Sequence, residues 1–348
     1  VKVTHFVKTR LWLSTLALVV ISQAAATAQA GAFEKVLVEG ARCSDGSAYP
    51  VYLRQGDPEK VLVFFEGGGA CWDAATCFGP VPFTFHKDRE SPLEDRILLL
   101  KDSELHGFKD YSLLFIPYCT GDVFVGRHVA HYGKKTVNHL GRLNLEKALD
   151  QIEDAYGLLG RAREVVAYGE SAGAIGVVAN VDLLEARTHP EASKSAFVDS
   201  AGLHFAKSIW GRFSDEYLDD LRTGMARNGV DLDFSTGKLA PQMLDYCSFH
   251  SKWKVGFLQG AQDVIMSWIF GAITGPHHRA RVYGKEGLWQ QLRDPMDNCS
   301  SWTPDTGRHV LLSDEKGWNA KTKDGVSGGD FVKGILAKRA GESQTSHR

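Results

Sequence analysis

What the chain has least of is a surplus of charge: 40 Lys and Arg stand against 42 Asp and Glu in 348 residues, a formal net charge of −2. The basic residues are dispersed rather than run together, so neither nucleic acid nor an anionic membrane is expected as a partner. Long apolar runs are equally scarce. The run Leu11–Ile21 near the N-terminus is too short to span a bilayer comfortably, which argues against a membrane anchor. No C-x-x-C pair occurs among the six cysteines, so the usual zinc spacing is missing and no metal is expected. Neither an internal repeat nor a linker divides the chain.

The N-terminus carries Lys2, Lys8 and Arg10, then the apolar run, then small residues ending in Ala28-Gln29-Ala30. That order predicts a signal peptide over residues 1–30, cleaved after Ala30, and a secreted or periplasmic protein beginning at Gly31. Residues 31–348 are expected to form one domain, present as a monomer. At 43% hydrophobic and 24% charged, the composition is ordinary for a globular chain with a large core. Cys43, Cys71, Cys77, Cys119, Cys247 and Cys299 suit an oxidising compartment, and an even count leaves none over. Cys71 with Cys77, which share one Gly-rich loop, is the first expected bridge, followed by Cys247 with Cys299 and Cys43 with Cys119. Spacing alone leaves the other pairings open.

Lys35–Val38 and Ala48–Leu53 flank the turn Ser44-Asp45-Gly46-Ser47 and read as an antiparallel start to a sheet. Val61–Phe65, Tyr111–Pro117, Val165–Tyr168, Ala196–Asp199 and Lys254–Gln259 read as further strands, and Val61–Phe65 is apolar enough to be buried on both faces. Helical spacing is predicted over Asn144–Leu159, near Asp215–Arg227 and near Gly329–Lys338. The stretch Asp73–Leu105, broken by Pro80, Pro82 and Pro92, reads as a long excursion over the surface. The alternation implies an α/β fold with a mostly parallel central sheet and helices on both faces.

Val165–Gly176 is the stretch around which these elements are organised. A strand of β-branched and aromatic residues runs into Gly169-Glu170-Ser171-Ala172-Gly173, a G-x-S-x-G nucleophile elbow that presents a serine hydroxyl at a strand tip. A serine needs a base, and the base needs an acid to fix its tautomer. In elbow folds the chain order is serine, acid, histidine. Asp263, in a loop after the strand ending at Gln259, is the leading acid, with a helix N-cap as its bland alternative. His309, before Val310-Leu311-Leu312, is the leading base, with the His277-His278 pair as competitor. His128, His131, His204 and His250 rank lower, and His128-x-x-His131 alone makes a weak metal motif. Gly67-Gly68-Gly69 follows a buried strand and suits an oxyanion hole, with Gly68 and Gly69 supplying donors beside the Ala172 N–H.

Together Phe65–Trp72, Ile116–Asp122, Gly169–Gly173, Asp199–Gly202, Gln259–Asp263 and His309–Leu311 resemble the pectin acetylesterase family, which also includes the Notum carboxylesterases. The resemblance implies an α/β-hydrolase fold, no cofactor, and a triad falling on Ser171, Asp263 and His309. It implies a secreted carboxylesterase that deacetylates a polysaccharide. Two alternatives are a hydrolase of longer acyl esters, and a non-catalytic carbohydrate-binding protein on the same scaffold. Ala70 stands where plant members usually carry tryptophan, and Asp73–Leu105 and Ser267–Asn298 match no family block. Trp72, Phe78, Phe83, Phe85, Trp268 and Phe270 are aromatic candidates for an acyl pocket or a sugar platform, against a plain core role.

Overall fold

The computed structural model describes residues 1, 32–78, 107–292, 298–339, 342–343 and 345–348. The leader with its Ala28-Gln29-Ala30 site, Gly31, and residues 79–106, which hold Pro80, Pro82, Phe83, Phe85 and Pro92 of the excursion, lie outside the described residues, while the start of the excursion forms a short helix, Ala74–Phe78. No described helix is long and apolar enough to cross a membrane.

An eight-stranded sheet forms the centre. Its strands are β1 (Glu34–Arg42), β2 (Ala48–Arg54), β3 (Asp57–Phe65), β4 (Tyr111–Ile116), β7 (Glu164–Glu170), β8 (Ser193–Asp199), β9 (Trp253–Leu258) and β10 (Cys299–Trp302). They lie in the order β1-β2-β4-β3-β7-β8-β9-β10. β1 with β2 and β2 with β4 are antiparallel, and every later pairing is parallel. The predicted fold class is what is observed, an α/β-hydrolase fold. Alternation along β3 shows why its sequence is apolar throughout. Val61, Val63 and Phe65 enter the core on one face of the sheet, where helices Gly141–Tyr156 and Ala172–Glu185 pack. Leu62 and Phe64 enter the core on the other, under helix Gly328–Ala337. A strand covered on both faces has no polar side to write into its sequence.

Helix ends follow local chemistry. Gly157 closes the helix Gly141–Tyr156 in a left-handed conformation at φ 55°, where a missing Cβ removes the strain. Ser214 caps Asp215–Ala226 through the Tyr217 N–H. Ser327 and Asp330 form a reciprocal capping box on Gly328–Ala337. Two features were absent from the sequence reading. A hairpin, β5 (His128–Tyr132) with β6 (Lys135–His139), lies apart from the main sheet, unannounced because its residues are half-exposed and polar. β10 directly follows the unmatched segment Ser267–Asn298, and its four residues are too few to show a period. Arg308–Leu312, apolar as a strand would be, forms none; its backbone bonds elsewhere. All three expected disulfides are present: Cys71–Cys77, Cys247–Cys299 and Cys43–Cys119.

Candidate active site

The parallel strands end on one edge of the sheet, and the chemistry gathers there. Ser171 sits between β7 and helix Ala172–Glu185 at φ 54° and ψ −117°, a strained conformation for a residue with a side chain. Its neighbours permit it. A Cβ on Gly169 would lie 2.2 Å from the Gly173 oxygen, and one on Gly173 would lie 2.1 Å from the Phe65 oxygen. Strand, turn and helix are therefore packed backbone to backbone, which only glycine allows. The Ser171 N–H donates to the Asp199 carbonyl on β8 at 2.7 Å, so the elbow is held from the neighbouring strand.

Asp263 follows β9 and is fully buried. Its two oxygens divide the two roles weighed from sequence. Oδ1 accepts from the Ile265 and Met266 N–H groups at 3.0 and 2.9 Å, as an N-cap would. Oδ2 lies 2.8 Å from His309 Nδ1. The capping bonds thus lock the carboxylate that meets the ring. The bonds of His309 do not include one to Ser171 in this structure. His277 instead faces Thr274 at 3.0 Å. His278 is buried with Nδ1 2.8 Å from the Ala261 carbonyl and Nε2 3.3 Å from Gln259 Nε2, and burial pushes its pKa down. Neither histidine bonds to Asp263. His128 pairs with Asp220 at 2.6 Å and His131 with Thr136 at 3.3 Å. The cluster of metal-ligand type among the described residues is Cys71, Cys77 and His139, and the two sulfurs are already joined to each other.

The Gly-rich loop lies against the elbow. A Cβ on Gly67 would come within 2.8 Å of the Glu170 oxygen and 3.2 Å of Ser171 Cβ. Gly69 is left-handed at φ 81°, and its carbonyl accepts from the Tyr118 hydroxyl at 2.9 Å. Cys71 N–H donates to the Gly121 carbonyl at 2.9 Å. The loop is tethered to 118–121, and that segment is itself tied to β1 through Cys43–Cys119. Beneath the loop lie carboxyls that the sequence reading gave no role. Glu66 accepts from the Tyr118 N–H at 3.1 Å. Glu170 is partly buried and receives hydrogen bonds from Ser313 and the Gly67 N–H; burial, then the charges of Asp199 and Glu66, push its pKa up to about 7. Burial also pushes Asp199 up, against hydrogen bonds from Leu312, Leu311, Ser200 and Tyr168.

On the other side of Ser171 opens a cavity of about 740 Å³ counted with its open mouth. Gly69, Ala70, Ser171 and Ala172 line it together with Ile175, Val178, Leu221, Met225, Trp210 and Phe270. Of the aromatic candidates, Phe270 lines it. Trp72 packs edge-on against Phe213 at 5.2 Å, Phe78 lies under the Lys135 ammonium at 4.1 Å, and Trp268 is 71% exposed. The aromatic walls Phe205, Trp210, Phe213 and Tyr217 come from segments without a motif, and sequence gave no sign of them.

A parallel sheet with a strained serine at the turn after its central strand defines the class: an α/β-hydrolase. Solved structures agree on the fold. The structure of the Wnt deacylase Notum from Drosophila superposes with a TM-score of 0.60 over 90% of this chain and 96% of that one, at 17% identity. Residues 21–212 match the sequence profile of the pectinacetylesterases, and the chain belongs to that family. Pectin acetylesterase 11 of Arabidopsis thaliana is 26% identical over 313 residues, 84% of this chain and 75% of that one. The palmitoleoyl-protein carboxylesterase NOTUM of Schmidtea mediterranea is 28% identical over 168 residues, 45% of this chain. The match spans only 31% of the planarian protein's length.

Proposed function

We propose that the protein is a serine carboxylesterase whose acyl site takes chains longer than acetyl. The observation that carries this reading is the cavity, whose apolar walls begin at Ser171. An acetyl group would leave most of it without partner atoms, whereas each buried methylene gains about 0.8 kcal/mol. Ala70, which lines the cavity with Ser171, supports the same reading, because the tryptophan usual in plant relatives would take up that space.

In the mechanism, Ser171 attacks the ester carbonyl as His309 takes its proton. Asp263 fixes the His309 tautomer and stabilises the imidazolium. The carbonyl oxygen, now an anion, is met by backbone N–H groups of Gly68, Gly69 and Ala172. His309 returns the proton to the leaving alcohol, then activates the water that releases the acid and frees Ser171. The disulfides support export to an oxidising compartment, in keeping with the leader read from residues 1–30.

A second reading, deacetylation of a polysaccharide, is favoured by the extent of the match to the plant pectin acetylesterase. Hydrolysis of p-nitrophenyl esters from acetate to palmitate, beside acetylated pectin, separates them. The first reading expects kcat/KM to rise about fourfold per methylene until the cavity is full. A maximum at acetate with release of acetate from pectin would replace it by the second.

A further inference from the structure

Asp199, the last residue of β8, touches both moving parts of the proposed triad and neither reacting atom. Its carbonyl accepts from the Ser171 N–H at 2.7 Å. Its carboxylate accepts from the Leu311 N–H at 2.9 and 3.1 Å and from the Leu312 N–H at 2.8 Å. Ser200 Oγ donates to the same carboxylate at 3.0 Å and accepts from the Val310 N–H at 3.2 Å. The three N–H groups that follow His309 therefore converge on Asp199-Ser200. Val310 is left-handed at φ 61° and Ser200 at φ 62°, so both partners hold strained backbone to make this meeting. Buried N–H groups require acceptors, and without strand pairing Val310, Leu311 and Leu312 find them here. The Tyr168 hydroxyl on β7 donates to Asp199 Oδ2 at 3.1 Å, which pins the carboxylate from the elbow strand. Asp199 is fully buried and does not line the cavity, so substrate does not reach it.

We propose that Asp199 is a positioning residue for catalysis: its backbone holds Ser171, its carboxylate holds the segment carrying His309, and it thereby sets the distance between nucleophile and base. The idea rests on the assignment of Ser171, Asp263 and His309 as the triad. A displacement of about 1 Å between reacting groups costs on the order of a hundredfold in rate. Asp199→Asn keeps the shape but turns an NH₂ towards N–H groups or a hydroxyl. It should lower kcat about a hundredfold with KM within twofold, because the cavity walls are untouched.

The test combines p-nitrophenyl octanoate kinetics, thermal melts and proton NMR on Asp199→Asn, Ser200→Ala, Ser171→Ala and His309→Ala in the full chain. The low-field proton between His309 Nδ1 and Asp263, identified by its loss in His309→Ala, should broaden or vanish in Asp199→Asn. A residue that merely supports the fold would leave that signal in place. Ser200→Ala removes one N–H contact and keeps the carboxylate; a smaller fall in kcat with unchanged KM is expected, and it decides the matter if Asp199→Asn does not fold. Wild-type kcat in a folded Asp199→Asn, or loss of kcat with the His309 signal intact, would overturn the proposal. An active Ser171→Ala would overturn the triad itself, so the two failures are told apart.

Discussion

On one side of Ser171 the chain buries Ile175, Val178, Leu221 and Met225 around open space; on the other it gathers Glu66, Glu170 and Asp199 with their donors already in place. The apolar side leaves open space, which under the proposed function receives the acyl chain. The carboxyl side is closed, because each buried oxygen must be satisfied before it can be tolerated. One region can therefore vary in size with the acyl group. The other has to keep its geometry, since a moved carboxylate would move the proposed oxyanion loop through Gly67 or the proposed base through Leu311. The difference assigns specificity to the first side and alignment to the second.

The largest effect expected is from Ser171→Ala, which should lower kcat by about 10⁶-fold while circular dichroism and the melt stay those of the parent. Asp263→Asn should cost about 10⁴-fold in kcat, since the ring loses the acceptor that sets its tautomer. Retention of more than a tenth of the activity in either would remove the proposed chemistry. Changes on the apolar side should be smaller and selective. Ala70→Trp should reduce the octanoate-to-acetate ratio of kcat/KM about tenfold, the worth of roughly two methylenes of reach. An equal fall on both esters would mean that Ala70 does not border the acyl site.

A further effect concerns stability on the carboxyl side rather than rate. Glu170 has its pKa raised from 4.5 to about 7, so the native state holds a proton that the unfolded chain releases. Its stabilising contribution is full below pH 4.5 and is lost as pH rises through 7. Full burial would make this about 3 kcal/mol, and partial solvent contact trims it to about 2 kcal/mol. Urea unfolding at pH 5 and pH 8 should show the parent losing that much more than Glu170→Gln. Equal losses would show that Glu170 is ionised at both pH values.

Much of this site was legible before the fold. The elbow is a local object: Gly169, Ser171 and Gly173 lie within five residues, and the strand and helix beside them have clear periods. Asp263 and His309 were reached through chain order, and the structure joins them at 2.8 Å while His278 bonds elsewhere. Asp199-Ser200 had been read only as part of a family block. Nothing in its own sequence tells that its partners are Val310, Leu311 and Leu312, more than a hundred positions away. Arg308–Leu312 forms no strand for the same reason: the N–H groups of Val310, Leu311 and Leu312 are taken by the side chains of Ser200 and Asp199.

The sequence by itself determined the elements whose causes are neighbours along the chain: the elbow, the helix caps at Ser214 and Ser327, and strands apolar on both faces. It also supplied an even set of cysteines to be paired. Only the tertiary structure decided the cavity beside Ser171 and the carboxyl cluster beneath the Gly-rich loop. Those depend on which distant side chains meet across the sheet edge, and a void or a buried carboxyl cluster belongs to no single segment.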